Sequence, residues 1–272
     1  MLLVAGGAAS HKRGVPELFD MKLRALRRDR AARSGPELFL YERVFDDCLD
    51  RIALLERRFE RALLIGCPDA GWPERLVPVA ERIDVRDPGP QFAASSGGSQ
   101  IIEDAWEPEE TSYDLVLSVG TLDTVNDLPL AVRLIRYAMR PDGLFIGAVS
   151  GGDTLPQLRL AMRAADALSG VASPHIHPRI EASALSPLLA DAGFVKPVVD
   201  IDRIHVSYPS LGRLVEDLRA MGATNVLHAR ALPLARAQLE AAAMAFAALG
   251  EGGRTREKFE IVHFAAWTAQ NG

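Results

Sequence analysis

The segment ALLIGCPDAGW, residues 62–72, opens on an apolar run, 62–65, that breaks at Gly66. A buried strand ending on glycine lets the backbone approach a nucleotide-type ligand, because a side chain at that point would block the approach. Gly66 and Cys67 are therefore candidate ligand-binding positions. Pro68 then stands where such a turn would usually place glycine; it has no N–H to donate and its φ is fixed near −65°. Ala70 adds a methyl group where the next helix should begin. Acids at the end of RIDVRD extend the same site: Asp84 or Asp87 is placed to grip a ribose diol, and the sequence does not choose between them. Ser118, Val119 and Gly120 close the apolar run YDLVLSVG, at the strand ends where open α/β sheets take ligands.

The second half carries fewer chemical groups. Asp153, in the run GGD, is placed either to hold a cationic substrate group or to cap the helix that follows. His175 and His177, with Asp153 upstream, form the only metal-like grouping, and the weaker spacing assigns no metal. Tyr208 and His205 could face the same opening. Catalytic residues are thus unassigned, with Asp153, His175 and Tyr208 as candidates. Arg159, Arg163 and Arg179 read as exposed charge, with binding of an acidic group as the alternative.

The elements that must position these groups alternate. Residues 1–33 form a basic arm, with Lys22, Arg24, Arg27, Arg28, Arg30 and Arg33 read as a solvated helix face or a contact surface for an acidic partner. From Ser34, with Glu37 at capping-box spacing, a strong amphipathic helix carries Leu38, Tyr41, Phe45, Leu49, Ile52 and Phe59 in one stripe. RALLIG, RIDVRD, QIIEDAW, YDLVLSVG (113–120) and LFIGAV (144–149) read as five strands. A helix over about 128–139, capped by Asn126 or Asp127, precedes the turn RPDG. Helices are expected near 155–169, 210–221 and 231–249, another ending at LADAGF, and strands at VKPVVDIDRIHVSYP and 259–269. Alternation of this kind builds a largely parallel α/β sheet with right-handed crossovers.

The bulk properties narrow the class. A net charge of −5 argues against wholesale nucleic-acid binding, and 48% apolar with 25% charged residues is ordinary for a globular chain. Two cysteines, Cys48 and Cys67, supply no disulfide framework and fit a reducing compartment. No apolar run reaches bilayer length, and MLLVAGGAAS has its charges on the wrong side for a signal peptide, so the expected location is cytoplasmic.

The order of a glycine turn, an acid-ended second strand, ED after the third, YDLVLS and RPDGLFIGA resembles the class I S-adenosylmethionine-dependent methyltransferases. The segments LFDMKLRALRRDRAAR, VNDLP, RPDGLFIGAVSGGDTL, SPHIHP, LLADAGF, VDIDRIHVSYPS and LVEDLRAMGATN, from about Leu18 to Trp267, further resemble the methyltransferase-fold assembly factor of respiratory complex I, whose mitochondrial branch is associated with arginine hydroxylation on an iron–sulphur subunit. The malonyl-carrier-protein methyltransferases are a more distant likeness. The resemblance implies a Rossmann-like seven-stranded, mostly parallel sheet over residues 34–272, with a helical insertion after the fifth strand at about 151–193 covering the cleft.

It also implies S-adenosylmethionine as cofactor, held by Gly66, Cys67, Asp87, Asp104 and Ser118, with Asp104 on the adenine amino group and Trp106 as a stacking ring. The partner implied is a respiratory-chain protein subunit. Where the family often has LHWVNDLP this chain reads LDTVNDLP, so Asp123 and Thr124 replace a histidine and an aromatic. Pro68 and Ala70 depart from the family's glycine loop and lower the expected cofactor affinity. Three readings follow: an enzyme modifying a protein side chain, a degenerate fold acting as a protein-binding assembly module, and a small-molecule or carrier-protein O-methyltransferase.

Overall fold

The parallel half of the sheet follows from the sequence periodicity. β1 (Phe59–Ile65), β2 (Ala80–Asp87), β3 (Ser99–Gln100), β4 (Tyr113–Val119) and β5 (Met139–Ser150) pair in parallel, while β7 (Thr255–Thr268) runs antiparallel to both β5 and β6 (Phe194–Tyr208). The strand order is β3-β2-β1-β4-β5-β7-β6, the expected seven-stranded, mostly parallel sheet. The order reverses between β1 and β4, which opens a crevice at the carboxyl ends of those strands. The computed structural model describes residues 17–229 and 233–270, so MLLVAGGAAS and the start of the helix expected from 231 lie outside the described residues.

Every residue of β4 is buried, which its continuous apolar run requires because helices cover both sheet faces. Alternate β1 residues serve the two faces: Leu63 and Ile65 join Val116 and Phe145 on one, Ala62 and Leu64 join Leu115 and Ile146 on the other. The flanking helices are α1 (Met21–Ser34), α2 (Phe39–Ala53), the single turn α3 (Trp72–Leu76), α4 (Pro90–Ser95), α5 (Leu128–Ala138), α6 (Pro156–Ser169), α7 (Ala182–Asp191), α8 (Leu211–Ala220) and α9 (Arg236–Ala248). Asp127, not Asn126, caps α5, accepting from Leu130 N at 2.9 Å.

Three expectations are corrected. The long helix from Ser34 is two elements: Ser34 closes α1, Gly35 at φ +86° breaks the chain, and α2 starts at Phe39 with no side-chain cap. Phe59 is not on that helix but begins β1, because the helix stops at Ala53 and Glu56 turns the chain at φ +48°. QIIEDAW is not a full strand: only Ser99 and Gln100 pair with β2, after which Ile101 N donates once to Asp87 O and the chain leaves the sheet. The insertion after β5 also divides. Leu158 and Ala161 of α6 pack with Leu214 of α8 and Phe246 of α9, whereas Leu185 and Leu189 of α7 belong to the sheet core.

Candidate functional site

The crevice between β1 and β4 gathers the loops that should hold a ligand, and the chain itself fills it. Gly66 has φ +85°, and a Cβ there would lie 2.4 Å from Val119 O and 2.6 Å from the Thr121 methyl. Glycine is required because the tip of β4 presses against the tip of β1. Three donors of the loop are spent internally: Gly66 N on Arg86 O, Cys67 N on Asp87 Oδ2 and Gly71 N on Asp69 Oδ1. Cys67 donates its thiol to Asp69 O, and burial pushes that thiol up to about 12, which removes it as a nucleophile.

Asp87 and Asp84 separate clearly. Asp84 lies along the sheet, accepting from Arg61 Nε and the Tyr113 hydroxyl. Asp87 stands at the strand tip, fully buried. Its Oδ1 accepts from Arg28 Nε at 2.8 Å and Gly89 N at 2.7 Å; its Oδ2 accepts from Arg28 Nη2 at 2.6 Å and Cys67 N at 2.8 Å. Four donors saturate a carboxylate, so no acceptor remains for a ribose hydroxyl. The Arg28 guanidinium also lies over the Phe92 ring, 5.2 Å from its centroid. Burial works against the Arg28 charge, but the Asp87 carboxylate outweighs it and holds the guanidinium above its ordinary pKa.

A second pair repeats the arrangement. Glu103, also fully buried, receives both ends of the Arg24 guanidinium at 2.7 and 2.8 Å, and Arg24 Nη2 donates again to Thr121 O at 2.6 Å. Both arginines come from α1, one turn apart, so this face of α1 is buried on acids of the chain, while Lys22, Arg30 and Arg33 lie on its exposed side. Asn126 of VNDLP anchors the start of that helix, exchanging hydrogen bonds with the backbone of Phe19 at 2.8 and 3.0 Å. The third pair explains the LDT departure. Asp123 accepts from Arg179 Nη1 at 2.5 Å, and both side chains are more than nine-tenths buried. Tyr41 of α2 completes the filling: a Cβ on Gly120 would lie 2.7 Å from its ring, and its hydroxyl donates to Met221 O.

The remaining candidates do not converge on the crevice acids. Asp104 accepts from Asp127 N at 2.8 Å and so positions α5, while Trp106 packs against the core below. Ser118 is fully buried, with Thr121 Oγ1 as its neighbour at 3.5 Å. Asp153 pairs with Lys258, and His175 Nε2 with Asp166 at 2.8 Å. Tyr208 is buried among α6, α8 and α9, where burial and the Asp217 carboxylate push its hydroxyl up. His177 Nε2 accepts from Val226 N at 2.8 Å; burial, with Arg179 next, lowers its pKa to about 4, so the ring is neutral. Of the residues that occupy the crevice, Glu103 is not among the sequence-derived candidates, and Arg24, Arg28 and Arg179, read as exposed charge or as contacts for an acidic group, are instead buried on acids of the chain itself. Arg24, Arg28 and Ala31 recur at i, i+4 and i+7, the spacing of one helix face.

Asp87, the acid expected to take a ribose diol, has its acceptor positions occupied by Arg28, Gly89 and Cys67.

Two outcomes follow from this packing. Arg28→Met should cost about 3–5 kcal/mol in urea unfolding because it strands a buried carboxylate, whereas Arg28→Met with Asp87→Leu should recover much of that loss. Arg28→Lys should fall between the native chain and Arg28→Met, since lysine keeps the compensating charge but cannot supply the two-pronged contact. For His177, whose folded pKa of about 4 lies below its unfolded value, the unfolded chain takes up a proton that the folded ring refuses. Stability should therefore fall as pH drops from about 6.5 to about 4, by about 3 kcal/mol more than in His177→Gln.

No family model matches the chain. It is 33% identical to the mitochondrial arginine-hydroxylase NDUFAF5 of Mus musculus over 271 residues, covering 92% of this chain and 77% of the relative. The Homo sapiens protein of the same name is 34% identical, with 92% and 76% covered. A malonyl-[acyl-carrier protein] O-methyltransferase of Xylella fastidiosa is 34% identical over 160 residues, 58% of this chain and 52% of the relative. Among solved structures, the YcgJ protein of Bacillus subtilis superposes with a TM-score of 0.56 at 12% identity, over 81% of this chain and 97% of its own. A candidate methyltransferase of Bacillus halodurans gives 0.54 at 10%, over 82% and 99%. The fold is that of the class I S-adenosylmethionine-dependent methyltransferases, and the chain belongs to the family of the arginine-hydroxylase NDUFAF5.

Proposed function

We propose that this member of the family is an assembly module that binds a respiratory-chain protein subunit and does not turn over S-adenosylmethionine. Supporting the partner is the membership itself, which spans 92% of this chain, with the resemblance of its sequence motifs to the complex I assembly factors. Supporting the loss of turnover is one observation above all: both oxygens of Asp87 are fully engaged by Arg28, Cys67 and Gly89. Methyl transfer from a sulfonium depends on alignment of a bound donor, so a cleft that does not hold the donor supplies none of the catalysis. The fold then serves as a rigid platform, its crevice closed by ion pairs instead of by ligand.

The test is capture followed by labelling. The tagged full-length chain, purified from its own cells, should retain a respiratory iron–sulphur subunit. Incubation of that complex with S-adenosylmethionine labelled on its methyl group should leave the subunit unlabelled. Label on the captured subunit would overturn the loss of turnover, and capture without any respiratory subunit would overturn the partner.

A further inference from the structure

Beside the filled half of the crevice, over the tips of β4 and β5, the packing is incomplete. Two adjoining hollows, each of about 60 Å³, share Tyr41, Gly120, Ser150 and Arg179 as walls. Each is several times the roughly 10–15 Å³ that one water needs on this measure. One hollow is apolar, walled by Val44, Val149, Leu155 and Phe259. The other is polar, with Arg24, Arg28 and His177 on its wall.

Arg179 stands between them. Its Nη1 is taken by Asp123, but its Nε is buried without a hydrogen-bond partner, and the side chain is only 7% exposed. An unmet donor on a buried guanidinium is costly, and an acceptor entering the hollow would relieve it. The surroundings favour a negative acceptor. Arg159, on α6, donates only to the carbonyl oxygens of Gly152 and Thr154, and burial followed by the Arg179 charge lowers its pKa. His177 contributes no positive charge, being neutral, and accepts from Val226 N.

We propose that the two hollows form a binding site for a small carboxylic acid with an apolar body, its carboxylate accepting from Arg179 Nε and its body lying among Val44, Val149, Leu155 and Phe259. Arg24 and Arg28 wall the polar hollow but are already held by Glu103 and Asp87, so the proposed contact is with Arg179 and is tested separately from the reading of the cofactor cleft. The division of labour is that of small-ligand pockets generally: apolar walls supply affinity and one placed polar group fixes orientation.

The full-length chain is titrated with hexanoate and with 1-hexanol, and its thermal midpoint is followed in parallel. Hexanoate should raise the midpoint and bind about tenfold tighter than hexanol, since a hydrogen bond to an ionised acceptor exceeds one to a neutral acceptor by that order. The double variant Asp123→Asn with Arg179→Gln removes the pair as a unit and strands no charge; it should lose the preference for hexanoate. Ala148→Leu, which projects into the apolar hollow, should weaken both ligands. Equal binding of hexanol, no binding of either ligand to the native chain (a hollow holding water alone), or a preference that survives the double variant would overturn the proposal.

Discussion

The buried pair between Arg28 and Asp87 fixes how the N-terminal helix, the tip of β1 and the tip of β2 relate to one another. A guanidinium and a carboxylate removed from water lose hydration worth several kcal/mol each, and only close, multiply bonded geometry returns it. Here the carboxylate takes four donors from three segments, so moving any one of them uncovers a charge. Arg24 with Glu103 and Arg179 with Asp123 repeat the arrangement at the tips of the neighbouring strands. Each acid sits where the fold places ligand-facing groups, and each arginine comes from a helix or loop outside the parallel strands.

This constraint accounts for the departures of the glycine loop. Gly66 persists because Val119 O and the Thr121 methyl leave no room for a Cβ. Pro68 is tolerated because the donors the loop supplies within the chain, Gly66 N, Cys67 N and Gly71 N, lie on either side of it. The loop then closes on Asp69, and Trp72 stacks on Phe45 of α2 at 4.2 Å with its indole N–H on Glu42. Around Pro68 the backbone donors of Cys67 and Gly71 both end on carboxylates of the chain itself.

The sheet was legible because its signals are local: apolar runs, the RPDG turn and the alternation of strand and helix survive any change in the cleft. The closure was not. A helix whose buried face is Arg24, Arg28 and Ala31 has the period of a packed helix but arginine at two of its three positions, so hydrophobic patterning assigns that face to solvent. Glu103 was overlooked beside Asp104 because which of two adjacent acids points inward depends on where β3 stops pairing, and it stops at Gln100. Asp123 looked like a loss until Arg179, 56 residues away, supplied its partner. Between Ser34 and Phe39 the capping-box spacing is present, but Ser34 belongs to the preceding helix, which Gly35 ends.

In the proposed function the chain's own arginines, Arg24 and Arg28, hold the acids that a nucleoside cofactor would need. Calorimetric titration of the full-length native chain with S-adenosylhomocysteine tests it most directly. The account predicts no binding up to about millimolar ligand, near −4 kcal/mol. Saturable binding in the micromolar range would contradict it, because a cofactor could bind that tightly only if the Arg28–Asp87 pair opened at little cost.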